Sequence, residues 1–277
     1  MSYIEIDFKI SPLQPAAEIL VAELSELGFE SFVEGEEGLK AYIIEKDYQK
    51  SDIDKLFVMS NPEFIISYNQ TKVADQNWNA KWESEYEPVF IDDRCYIRAP
   101  FHDKKPHVEF NILIEPKMSF GTAHHETTYQ MIQLLLEEDV SGKAVLDMGC
   151  GTAVLAILAK MKNAATVYAI DNDEWAYNNA LENVQRNRFD DIIVEEGDAS
   201  LLKGRTFDLI IANINKNILL ADMYAYVDAM VTNSRIFFSG FYEEDLSDIK
   251  KKAKQLGLKY EKHIVRHNWV AAVFYLD

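Results

Sequence analysis

Residues 145–153 read Val145-Leu146-Asp147-Met148-Gly149-Cys150-Gly151-Thr152-Ala153, an apolar run that breaks into a glycine loop and leaves on a helical pattern through Leu158. Glycines allow close approach to the backbone, and the helix start offers unpaired N–H groups, so strand, loop and helix together form a nucleotide-binding unit. The next apolar run, 167–171, ends on Asp171, 22 positions beyond Gly149 (171 − 149). A carboxylate at that point can accept both hydroxyls of a ribose. Short apolar runs at 144–147, 192–195 and 207–212, most of them separated by helical patterns, are buried strands of a parallel sheet. A strand at 235–239, a helix at 244–256 and consecutive strands at 259–266 and 270–275 complete the pattern and predict an antiparallel edge. The expected fold is an α/β, Rossmann-like sheet.

Upstream, Ile4, Ile6, Phe8 and Ile10 alternate with polar residues as in a half-buried strand. A helix follows from Ala16 to Leu27, opened by Pro12 and Pro15 and closed by Gly28. Strands at 31–34 and 40–45, a helix through Met59 with Ser51 and Asp54 as a capping box, and a strand at 64–68 give the order β-α-β-β-α-β. That order belongs to a ferredoxin-like α+β domain, placed at 1–69. The polar stretch 70–88, with Trp78 and Trp82 one turn apart, reads as a linker helix whose tryptophans pack. The larger domain is then 89–277, beginning with two or three strands in 89–115, a loop at Phe120-Gly121-Thr122 and a helix at 127–138.

The chain has 277 residues, with 28 Lys and Arg against 46 Asp and Glu, a formal charge of −18. Such a charge opposes unaided contact with a phosphate backbone and favours a basic partner. The two cysteines, Cys95 and Cys150, are too few for a disulfide framework and suit a reducing cytoplasm. No signal peptide or membrane span is legible, and a soluble monomer is expected.

Charge also bears on the ligand. A carboxylate such as Asp147 before the glycine loop is a poor neighbour for a pyrophosphate, and the loop lacks a Gly-Lys-Ser/Thr ending. S-adenosylmethionine carries no phosphate, and its ammonium and sulfonium are both cationic. Asp147 and Asp171 at strand ends suit that cofactor, as do Gly149 and Gly151. Asp198, in Glu196-Gly197-Asp198-Ala199, is placed either to bond an adenine amino group or to serve as a solvated turn residue. Asn213 follows the fourth strand, where its amide can orient an attacking amine or cap the next helix. His124 and His125 lack further ligands at metal spacing, so no metal is assigned, and packing or capping is the better account.

Three blocks are more specific. Glu115-Pro116-Lys117-Met118-Ser119-Phe120-Gly121-Thr122-Ala123-His124-His125-Glu126-Thr127-Thr128, Asp147 to Ala153 and Ala212-Asn213-Ile214 resemble the bacterial ribosomal protein L11 methyltransferases. The resemblance takes in Ser239-Gly240 and nearly the whole chain. It implies a two-domain enzyme of the class I S-adenosylmethionine-dependent methyltransferases, which methylates lysine and/or N-terminal amines of a basic large-subunit ribosomal protein recognised by the N-terminal domain. It also implies cofactor contacts at Thr128, Gly149, Asp171 and Asn213, with Phe120 and Gly121 near the methionine portion. Ala153 departs from the family's usual third glycine. The alternative is methyl transfer to another protein, a nucleic acid or a small molecule. Asn213-Ile214-Asn215-Lys216 lacks the Asn-Pro-Pro-Tyr of enzymes acting on exocyclic base amines, which disfavours a nucleic acid. No general base is assigned.

Overall fold

The structure, a computed structural model, describes residues 3–35, 37–73, 86–105, 107–117 and 119–277. The chain divides into two compact units, Met1–Tyr86 and Glu87–Asp277.

In the first unit, strands β1 (Tyr3–Ser11), β2 (Ser31–Gly35), β3 (Gly38–Ile44) and β4 (Ile65–Val73) form an antiparallel sheet ordered β2-β3-β1-β4. This is the ferredoxin-like arrangement. Helix α1 (Ala16–Glu26) buries Ala16, Ala17, Leu20 and Leu24 in the core with Ile4, Ile6, Phe8 and Ile10 of β1. Its end is turned by Gly28 at φ +89°, a left-handed position where a missing Cβ removes the steric cost.

Two expectations fail here. The helix through Met59 is two short pieces, α2 (Lys50–Ile53) and α3 (Phe57–Ser60), and the Ser51–Asp54 capping box does not form. Glu23 instead reaches over from α1, accepting from the N–H groups of Phe57 at 2.9 Å and Val58 at 3.1 Å, so a distant carboxylate starts α3. Strand β4 continues to Val73, pairing Gln70, Thr71, Lys72 and Val73 with Ile6, Glu5, Ile4 and Tyr3. Those four residues are exposed and leave no apolar alternation to read, which is why the stretch resembled a linker. The rest of the expected linker helix through residue 85, with Trp78 and Trp82, lies outside the described residues.

The second unit opens with a small sheet of β5 (Val89–Ile91), β6 (Cys95–Arg98) and β7 (Phe110–Leu113). Helix α4 (Glu126–Glu137) follows, then the alternating run β8 (Ala144–Met148), α5 (Val154–Met161), β9 (Thr166–Asp171), α6 (Glu174–Arg186), β10 (Ile192–Glu196), β11 (Phe207–Asn213) and α7 (Lys216–Asp228). Strand β12 (Met230–Tyr242), helix α8 (Leu246–Gln255), β13 (Lys259–Arg266) and β14 (Trp269–Tyr275) finish the chain. The seven strands are ordered β10-β9-β8-β11-β12-β14-β13. β8 to β12 run parallel, while β14 inserts antiparallel between β12 and β13. Side chains of the middle strands alternate between two apolar clusters, Val145, Leu209 and Ile211 in one and Leu146, Ile210 and Ala212 in the other. A sheet buried on both faces leaves its carboxyl-end rim as the place to hold a ligand. Cys95 and Cys150 are buried free thiols, and burial pushes the Cys95 thiol up to about 12, away from reactivity. Among the described residues no helix is long and apolar enough to cross a membrane.

Candidate functional site

The rim holds a cavity of about 820 Å³, lined by residues from four loops: Lys117, Ser119 and Phe120, then Gly149 and Gly151, then Asp171, Asn172, Asp173, Trp175 and Ala176, then Asn213 and Ile214. Its volume suits a ligand of nucleoside size with an extension.

The glycine loop is shaped by what leans on it. A Cβ on Gly149 would stand 2.2 Å from Ile214 Cγ2, and one on Gly151 2.2 Å from the Phe120 carbonyl oxygen. Thr152 ties the Phe120-Gly121 loop down, its N–H donating to Phe120 O at 2.9 Å and its hydroxyl to Gly121 O at 2.7 Å. Ser239-Gly240 has a similar purpose: a bulge in β12 at Gly240, φ +94°, lets the Ile214 backbone approach where a Cβ would meet its oxygen at 2.3 Å.

Asp171 lies at the cavity wall and is 9% exposed. Its Oδ2 accepts from the Gly151 N–H at 2.8 Å and its Oδ1 from the Asp173 N–H at 3.1 Å, leaving further lone pairs for ribose hydroxyls. Asn213 ends β11 and is not a helix cap, because Asn215 caps α7 by accepting from the Ile218 N–H at 3.2 Å. Its Nδ2 donates to Thr128 Oγ1 at 3.3 Å, while Oδ1 is buried with no hydrogen-bond partner among the described residues. A buried acceptor without a donor costs free energy unless a ligand fills the place. Thr128 is fully buried and orients the amide from behind rather than lining the cavity.

Asp147 and Asp198 sit elsewhere. Asp147 is 1% exposed beneath the loop, its Oδ2 accepting from the Ala156 N–H at 3.1 Å and its Oδ1 unpartnered among the described residues. Burial, with a smaller push from the Asp171 charge, raises its carboxyl to about 8. It is therefore protonated near neutrality and exerts little of the charge expected of it, so the case against a pyrophosphate passes to Asp171 and Asp173. Lys117 is the one cation among the lining residues, and its Nζ is held by both Glu182 oxygens at 2.7 Å. Asp198 is exposed and caps the turn Ala199–Leu202, accepting from the Ser200 N–H at 2.8 Å; it is not among the lining residues. His125 caps α4 and packs between Phe120 and Trp269 at 5.0 and 4.8 Å, and His124 Nε2 lies 2.9 Å from Glu87 O.

Sequence reasoning missed Thr152, Trp175 and a row of amides on α6. Asn183 Oδ1 accepts from the Glu115 N–H at 2.9 Å and its Nδ2 donates to Thr152 O at 3.2 Å. Asn187 both accepts from Leu113 N–H, at 2.9 Å, and donates to Leu113 O, at 2.7 Å. The signal was a polar stripe of period four, Asn179 and Asn183 on the helix and Asn187 as its C-cap, where the buried face of a helix should be apolar.

A family model described as ribosomal protein L11 methyltransferase matches residues 17–276. The chain belongs to the ribosomal protein L11 methyltransferase family. Its ribosomal protein L11 methyltransferase relative from Phocaeicola vulgatus is 46% identical over 278 residues, 99% of each chain. The one from Chlorobaculum tepidum is 36% identical, covering 98% of this chain and 96% of its own. A crystal structure of ribosomal protein L11 methylase from Lactobacillus delbrueckii subsp. bulgaricus superposes with a TM-score of 0.64 at 24% identity, over 68% of this chain and 98% of that one, which supports the fold. For S-adenosylmethionine, this family's cofactor, the fit is good: the cleared backbone at Gly149 and Gly151, the Asp171 acceptors and the unmatched Asn213 Oδ1 provide for a nucleoside with a cationic extension.

Proposed function

We propose that this protein transfers methyl groups from S-adenosylmethionine to lysine and/or N-terminal amines of the large-subunit ribosomal protein L11. When bound, the cofactor supplies an electrophilic methyl group on a sulfonium. The observation that carries the reading is Asn213: an amide locked by Thr128, with an unpartnered acceptor at the rim of a family methyltransferase sheet.

The chain's own residues meet the two needs of amine methylation. Asp171 accepts the ribose hydroxyls, Gly149 and Gly151 let the nucleoside lie on the backbone, and Phe120 and Gly121 cover the methionine end. A lysine of ordinary pKa about 10.4 loses its proton near neutrality at a cost of roughly 4.6 kcal/mol. Desolvation in the cavity lowers that cost by disfavouring the charged form. Asn213 Oδ1, a neutral acceptor, holds an N–H of the free amine without stabilising ammonium as a carboxylate would, and so aims the lone pair. The charge of −18 suits a basic acceptor protein, and the first unit is assigned its recognition. Asn215 supplies the helix cap, which leaves Asn213 available for this role.

The test is incubation of the protein with labelled S-adenosylmethionine and unmodified ribosomal proteins, then mass spectrometry of the labelled band. Label in methylated amines of one large-subunit protein is expected. Cofactor binding with no label in any ribosomal protein overturns the substrate, and an Asn213→Ala enzyme at full rate overturns the amide's role.

A further inference from the structure

We propose that the Trp175 indole is the adenine platform of this site, stacking on the base of the bound cofactor and setting its affinity; the inference rests on the methyltransferase reading above. Trp175 is 82% exposed, more than any other large apolar side chain among the described residues. It makes no side-chain hydrogen bond or ring contact among them. Trp269, by contrast, is packed against His125 at 4.8 Å and Tyr242 at 4.1 Å. A ring of that size left in water forgoes a large apolar burial, and here it does so on the wall of the cavity beside Asp171, Asn172 and Asp173.

The strand order says which part of the ligand it meets. β9, β8 and β11 are adjacent, so their carboxyl ends set Asp171, the glycine loop and Asn213 in a row along the rim. Helix α6 starts just beyond Asp171, with Asp173 as its cap and Trp175 in its first turn. Trp175 thus extends from the Asp171 side of the row, whereas Asn213 holds the opposite end. In an adenosyl sulfonium the base leaves the ribose at C1′ and the sulfonium at C5′. With the ribose on Asp171 and the reacting methyl toward Asn213, the base is directed to the Trp175 side. Stacking suits the ring because every purine presents a π-face, and the indole needs no polar partner on that face. The family's glycine loop and Asp171 handle the sugar and the backbone approach; Trp175 adds a grip on the base that neither provides.

The test is calorimetric titration of wild type, Trp175→Ala and Trp175→Phe with S-adenosylmethionine and with 5′-methylthioadenosine, which keeps base and ribose but lacks the amino-acid tail. Trp175→Ala should raise Kd about tenfold for both ligands, the loss expected of one base–aromatic stack, and Trp175→Phe should stay within about threefold. In turnover the effect should fall on the cofactor's KM and not on kcat. Unchanged Kd in Trp175→Ala, a loss confined to S-adenosylmethionine, or a fall in kcat at unchanged Kd would each overturn the assignment, the last by putting the ring on the acceptor. Wild type that binds neither ligand would instead sink the methyltransferase reading itself, a result distinct from wild type and Trp175→Ala binding equally well.

Discussion

The turns that follow β8 and β9 stand side by side on the rim and are built on opposite plans. The turn after β8 is made of backbone: Gly149, Gly151 and Ala153 all have positive φ, Asp147 is sealed beneath, and Val154 to Ala159 of α5 are all buried. The turn after β9 displays side chains, with Asp171 at the wall and Asn172, Asp173 and Trp175 in solvent. One turn sets where a ligand can lie and the other provides what it can bond to. Substitutions in the first should therefore register as lost stability, and in the second as lost affinity.

The largest effect is expected in the second turn. Asp171→Ala removes the acceptor of the Gly151 and Asp173 N–H groups and, in the function proposed above, of the ribose hydroxyls, so calorimetry should show about a hundredfold rise in the Kd for S-adenosylmethionine. Next comes Gly151→Ala, whose Cβ would press on the Phe120 carbonyl at a left-handed φ of +53°. Thermal or denaturant unfolding should report a loss of about 2–3 kcal/mol; an unchanged midpoint would erase the distinction between the turns.

Asp147 gives a pH signature. Its folded-state carboxyl is raised to about 8 from 3.8, so between those values the folded protein holds a proton that the unfolded chain releases. Its contribution is full below pH 4 and fades as pH rises toward 8, on the order of 1 kcal/mol per pH unit. Asp147→Asn keeps an acceptor for the Ala156 N–H and should flatten that slope in melting experiments from pH 5 to 8. The smallest effect is Ala153→Gly. Ala153 holds φ +62° as the residue before α5, and relief of a left-handed alanine, about 1–2 kcal/mol, exceeds the added unfolded-chain entropy of glycine, about 0.4–1 kcal/mol. A gain of about 0.5 kcal/mol is expected, and a loss would show the methyl's packing to matter more than its backbone.

Much of the large unit was legible because buried parallel strands are continuous apolar runs, and because Gly149, Gly151 and Asp171 sit at spacings set by the βα unit itself. Asn213 was legible as a polar residue at a buried strand's end. Asp147 was misjudged because a strand-end carboxylate looks alike in sequence whether it faces a cavity or the core, and only burial separates the two. The end of β4 and the break between α2 and α3 escaped because an exposed polar strand has no apolar period and because Glu23, more than thirty residues away in sequence, supplies the cap. Trp175 escaped for the opposite reason: one exposed aromatic on a helix carries no period at all.

The amides of α6 bear on how the mouth of the cavity works. That helix carries Trp175 in its first turn and, through Asn183 and Asn187, grips the chain at Leu113 and Glu115 that leads to Phe120. Both banks of the cleft are thus moored to a single rod, which Lys117 also grips through Glu182, so widening the cleft at Glu115 would have to break bonds to α6.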